Sequence, residues 1–259
     1  MQQPYQQKQA YGAGFARSAV QVDQGLRTFM LGVYNNMILG LAISAVVALG
    51  INMLAVADAS TGVARMGGVY LTEFGRLLYG TPLMWVVALA PLAFIFLFSF
   101  RMDRMTAASA RTTFFVFAAV MGASLSTLLI RYTGASVVQV FFITAASFGA
   151  LSLWGYTTSR SLSGIGSFLI MGVVGLIIAS IVNIFLASSA LQFAISVIGV
   201  LIFAGLTAYD TQKLKEMYLY GNYDSEAAAK VSVFGALTLY LDFINMFQFL
   251  LALFGSRNE

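Results

Sequence analysis

VSVFGALTLYLDFINMFQFLLALFG, residues 231–255, decides how this chain is read. Asp242 stands in it with eleven uncharged residues before it, back to Val231, and thirteen after it, to Gly255. About 20 mostly apolar residues span a bilayer, so the run is long enough. A lone Asp at the centre of such a helix costs roughly 2.5–3.5 kcal/mol, against about 0.3–0.6 gained for each Leu, Ile or Phe, and the run still inserts. An acid kept at that depth is a functional candidate whose partner has to be found. The nearest one is Asp210, which ends the preceding apolar run in GLTAYDTQKLKEMY, residues 205–218.

Composition places the rest of the chain in the same solvent. Of 259 residues, 59% are hydrophobic and 9% charged, with a mean hydropathy of +0.85. Soluble domains carry about 25% charged residues, so the class is a polytopic, all-α membrane protein whose main partner is the lipid bilayer. The net charge of +4 is spread between apolar runs with no Lys/Arg block, which argues against nucleic acid. The chain has no Cys and no His, which removes thiolate chemistry and imidazole ligands or bases. No resident cofactor is expected, and any response to pH near neutrality falls on buried carboxylates or lysines.

Three segments follow. Residues 1–24 form a polar, Gln-rich tail with no signal-peptide core, expected to be disordered; 25–255 form one integral membrane domain; 256–259 are a short C-terminal tail. Seven spans are read at about 29–56, 82–100, 112–130, 135–157, 165–187, 190–211 and 232–254. With the N-terminus cytoplasmic, inner segments hold ten Lys/Arg and outer segments four, which favours that orientation. A re-entrant last run would return the C-terminus to the cytoplasm. The loop 57–81 carries no pattern of a folded unit. Gly32, Asn36, Gly40, Ser44 and Ala48 recur every four residues, a stripe suited to close helix packing.

Asn245 and Gln248 follow Asp242 at steps of three and read as supporting polar groups that bond between helices. Asp210 has a plainer alternative, pairing with Lys213 one turn on. Depth also separates the acids: a helix starting near 190 puts Asp210 about 30 Å along it, near the inner face, while Asp242 lies near mid-depth. They meet only if the sixth helix begins later and continues past Lys213, or the last helix starts later. Arg101 and Arg104, after the second span, serve as interfacial anchors or as counter-charges that reach a buried carboxylate.

GLTAYDTQKLKEMY followed by LTLYLDFINMFQFLLALFG resembles the two most characteristic stretches of the Bax inhibitor-1 family, in its YccA-like bacterial branch. The likeness extends over about residues 25–255. It implies a seven-helix bundle with the last helix central, located in the bacterial inner membrane. It also implies a proton-sharing pair, Asp210 and Asp242, acting as pH sensor and gate of a calcium leak, with Arg104 answering the pair and Arg101 as the fallback. The same two acids would be the oxygens that meet Ca²⁺. Three features depart from the family pattern: a long linker, GNYDSEAAAK at 221–230, an acid missing from the second helix, and a basic residue missing near the end of the last.

The rival expectation is an interaction protein that modulates a membrane-anchored AAA+ protease through the tail at 1–17. An enzyme is not expected. Neither acid has the GxGD context of intramembrane aspartyl proteases, and a Ser–His site lacks its His.

Overall fold

Where water is absent, a helix satisfies every backbone polar group within its own segment, and each of the seven apolar runs is helical. The structure, a computed structural model, describes residues 4–66, 68–101, 105–221 and 223–258, with side chains described outside 4–23 and 97–101. The elements in order are α1 Pro4–Ala55, β1 Val56–Ala57, β2 Ala64–Met66, β3 Val69–Leu71, α2 Glu73–Tyr79, α3 Leu83–Arg101, α4 Ala107–Arg131, α5 Gly134–Thr157, α6 Ser163–Leu186, α7 Ser189–Tyr220 and α8 Ser225–Phe254. Among the described residues six helices are long and apolar enough to cross a membrane. The pair α2–α3, bent by 61° at its break, raises that to as many as seven.

Polar residues placed at the turns set the helix starts. Thr106, Thr133, Ser188 and Asp224 each accept a hydrogen bond from a backbone N–H three residues on, at 3.2, 3.4, 3.3 and 2.7 Å. Each bond satisfies a donor that the first turn leaves open. Between α6 and α7 the chain turns in two residues, and Ala187 adopts a left-handed conformation at φ 46°. The surface explains itself only in lipid. On α6, Phe168, Met171, Ile177, Ile181, Ile184 and Phe185 are all exposed, a face no soluble monomer would leave bare.

α8 packs against α1, α4, α5 and α7. Half of its apolar window (50%) is buried, against 17% for α6. The small-residue stripe of α1 serves this packing: a Cβ on Gly32 would meet Ser232 of α8, one on Gly40 would meet Phe114 of α4 and Tyr240 of α8, and Ser44 bonds to α4 and α8.

Three readings of the sequence change here. The expected disordered tail, 1–24, is helical in backbone from Pro4, because Gln, Ala, Lys and Arg sustain a helix and no further Pro interrupts it. Residues 1–3 lie outside the described residues. The linker at 221–230 shrinks to 221–224, because Asp224 caps a helix-forming SEAAAK turn that belongs to α8. The loop 57–81 is ordered as an antiparallel sheet of order β1-β3-β2 followed by α2. Leu71, Leu78 and Tyr79 pack on Ala55 and Ile130 as a second small core, and Thr72 takes up the end of α1, donating to Leu54 O at 2.8 Å and Ala55 O at 3.0 Å. Strands this short carry too few residues for an alternating pattern to register. The last apolar run keeps its reading as one span: α8 is a continuous helix, and the re-entrant alternative does not arise. Beyond it, Ser256 O accepts from Thr133 N at 2.9 Å, and Asn258 N donates to Arg131 O at 3.0 Å, pinning the C-terminus to the α4–α5 turn.

Candidate functional site

Four successive residues of α7 face four different partners, because a helix turns about 100° per residue. The ring of Tyr209 lies against Gly166 of α6, where a Cβ would meet it at 2.5 Å. Asp210 turns toward α8. Thr211 shares a hydrogen bond of 2.9 Å with Ser152 of α5. Gln212 holds the α5–α6 turn, accepting from Leu162 N at 2.7 Å and donating to Arg160 O at 2.9 Å. On α8 the same logic sends Tyr240 to α1 and α4, Asp242 to α7, and Phe243 to the rings of Phe141 and Phe148 on α5.

Asp210 and Asp242 are in side-chain hydrogen-bonding contact across the α7–α8 interface. Asp242 is 4% exposed, and its Oδ2 has no donor among its neighbours. As carboxylates both groups only accept, so the contact becomes a hydrogen bond only when one of them carries a proton. Lys213 is near enough to act on Asp210 electrostatically, yet among the described residues it forms no ion pair within 4.0 Å. Its ammonium sits 5.8 Å over the ring of Tyr209.

The depth problem resolves through the length of α7. It continues past Lys213 to Tyr220, and the antiparallel register sets Leu214 against Gly235 and Gly199 against Phe249. That register carries Asp210 to the level of Asp242. The expectation that one of the two helices must start later is corrected: α7 begins at Ser189 and α8 at Ser225, neither later than the apolar runs marked, and the acids meet because both helices run on toward their shared turn.

The other expected groups fare differently. Arg104 lies outside the described residues, and Arg101 ends α3 with its side chain undescribed. Asn245 donates to Leu241 O of its own helix at 2.8 Å, and Gln248 is exposed, so neither joins the pair. Steps of three rotate about 60° away from Asp242 each time, which carries them off its face. Among the described residues no three acids gather as a metal site, and two carboxylates fall short of the six to eight oxygens calcium takes.

Two hydroxyl chains escaped the sequence reading. Tyr34 OH shares a 2.7 Å bond with Ser152, which continues to Thr211 beside Asp210. Tyr240 OH bonds Ser44 at 2.7 Å, and Ser44 also donates to Ala118 O at 2.7 Å. Ser44 was marked only as a small residue of the α1 stripe, and the isolated hydroxyls of Tyr34 and Ser152 carry no spacing that marks them as partners.

A helical bundle that holds two acids in contact between spanning helices defines a polytopic membrane protein with an intramembrane carboxylate site. The family model described as "Inhibitor of apoptosis-promoting Bax1" matches residues 26–259. A protein of Caulobacter vibrioides is 48% identical over 255 residues, covering 96% of this chain and 99% of its own. "Inner membrane protein YbhL" of Escherichia coli is 41% identical over 242 residues, covering 93% and 96%. A Rickettsia prowazekii protein is 43% identical over 237 residues, covering 92% and 93%. The chain belongs to the Bax inhibitor-1 family.

Proposed function

We propose that this protein is a pH-sensitive calcium leak of the bacterial inner membrane, gated by Asp210 and Asp242 sharing a proton. In this reading seven spans form the bundle and α8 is its central helix. The observation that carries it is the donorless contact of two carboxyl groups between α7 and α8. Two carboxylates in contact cannot both ionise cheaply, so they hold one proton and titrate as a unit. The shared proton ties α7 to α8 at low pH. As pH rises the proton leaves, the acids repel, and α8 favours another packing. Arg104, with Arg101 as fallback, is the counter-charge that captures one freed carboxylate. Calcium is cargo here: the two ionised acids supply some of its oxygens as it passes, and water or backbone carbonyls supply the others.

Kinship with YbhL supports the inner membrane. The Lys/Arg count of ten against four supports a cytoplasmic N-terminus. The alternative, modulation of a membrane-anchored AAA+ protease, rests on residues 1–17, whose side chains are not described.

Calcium flux into liposomes between about pH 6 and pH 8 tests the gate. Wild type should leak more as pH rises. Asp242→Asn supplies an amide donor that holds the tie at every pH, so its flux should be low and flat. An unchanged pH profile in that variant would sink the proposal. Deleting residues 1–17 should leave flux intact, and loss of a protease interaction without any flux in wild type would favour the alternative.

A further inference from the structure

α1 and α5 both pack on α7 and α8, and between them lies a cleft of about 790 Å³, within the size of small-molecule sites. Its floor is Phe243 of α8, and Leu31, Ile38 and Leu153 along its rim are exposed, so it opens sideways, toward the bilayer. A second hollow of about 300 Å³ shares Leu41, Ala45, Phe141 and Phe243 with it and continues the furrow along α8. From Arg27 to Ala45 the furrow follows α1 for about 27 Å at 1.5 Å per residue, close to the hydrocarbon thickness of a bilayer.

Polarity is confined to one end. Arg27 lines the mouth, is exposed, and has no ion-pair partner among the described residues. Tyr34, Ser152 and Tyr156 line the same end, and the ammonium of Lys215 sits 5.3 Å over the Tyr156 ring. Beyond them the walls are hydrocarbon. Lys215 lies outside the lining and donates to Tyr156 O at 2.8 Å, so the cation at the mouth is Arg27. A furrow with that guanidinium at its mouth and an apolar bed fits an amphiphile whose head carries net negative charge, since guanidinium groups bind phosphate by paired charge-assisted bonds. Water does not fill an apolar bed, and the molecules at its open side are lipids.

We propose that the cleft between α1 and α5 binds one anionic phospholipid of the surrounding bilayer, its headgroup phosphate on Arg27 and an acyl chain against Phe148 and Phe243. The chain would bear on α8 one residue from Asp242, so the site adds to the gating reading without depending on it.

The full-length protein in detergent tests the site, with native mass spectrometry for retained lipid and thermal unfolding for stabilisation. Phosphatidylglycerol should be retained as one molecule and raise Tm more than phosphatidylcholine, while inorganic phosphate should do neither. Gly149 lines the cleft, and a Cβ there meets nothing within 4 Å, so Gly149→Leu should fold, obstruct the bed, and lose both retention and the Tm response. Arg27→Gln should bind phosphatidylglycerol about tenfold more weakly, the loss of one charge-assisted bond, and remove the preference over phosphatidylcholine. Equal response of wild type to the two lipids, the same shift from phosphate alone, or wild-type retention in Gly149→Leu would each overturn the proposal.

Discussion

Asp242 is the residue the apolar run makes conspicuous, and its contact with Asp210 gives the exception a partner. Asp242→Ala removes the partner and leaves Asp210 facing an apolar gap, so the leak should stay high at both ends of the pH range in the liposome assay. The hydroxyl pairs make a separate prediction about stability. Ser44→Ala strands the buried Tyr240 hydroxyl and should cost about 1–3 kcal/mol in denaturant unfolding. Tyr240→Phe leaves Ser44 its bonds to Ala118 O and Gly40 O and should cost less. Both acids were legible because a charge in an apolar run is rare. Asn245 and Gln248 misled because spacing by three suggests one face, while the exposure of Gln248 depends on which neighbours α8 meets. Ser152 and Thr211 were silent because a lone hydroxyl in a helix often bonds only its own backbone, as Thr211 also does at 2.7 Å.

At the scale of the helix, glycines divide by what stands opposite. A Cβ on Gly122 would meet Ser44 O at 2.5 Å and its Cα at 2.8 Å, so Gly122→Ala forces α1 and α4 apart. That substitution should cost about 1–3 kcal/mol by overpacking. Gly149→Ala meets nothing and should be neutral or stabilising by up to about 1 kcal/mol. Ala187→Gly, at the left-handed turn between α6 and α7, should stabilise by about 1 kcal/mol. Thermal unfolding of the variants in one detergent checks all of these. Hydrophobic length located the spans within a few residues, from α3 to α6 especially. It cut α7 and α8 short, because both run on through polar residues that favour helix as strongly as the apolar ones do. That extension, invisible to hydropathy, is what lets Asp210 reach the level of Asp242.

For the whole molecule, the sheet cap, the second small core and the pinned C-terminus gather at the end where α1, α4 and α8 finish. The α5–α6 and α7–α8 turns lie at the other. Charge bias then predicts opposite exposure for two positions. The chain has no Cys, so single cysteines at exposed Lys213 and at Arg257 can be labelled separately. A membrane-impermeant thiol reagent applied to intact spheroplasts should modify Arg257→Cys and spare Lys213→Cys; the reverse pattern would invert the orientation. The cap was not legible because its strands are two or three residues long and its packing depends on Ala55 and Ile130, distant in sequence. The bundle was legible because a bilayer leaves so few alternatives.

Infrared spectroscopy of the protein in lipid reads the shared proton itself. A protonated-carboxyl carbonyl band should stand at about pH 6, fade toward about pH 8, and be absent from the double variant Asp210→Asn, Asp242→Asn. A wild-type spectrum with no such band at the lower pH, or one unchanged in the double variant, would contradict a shared proton.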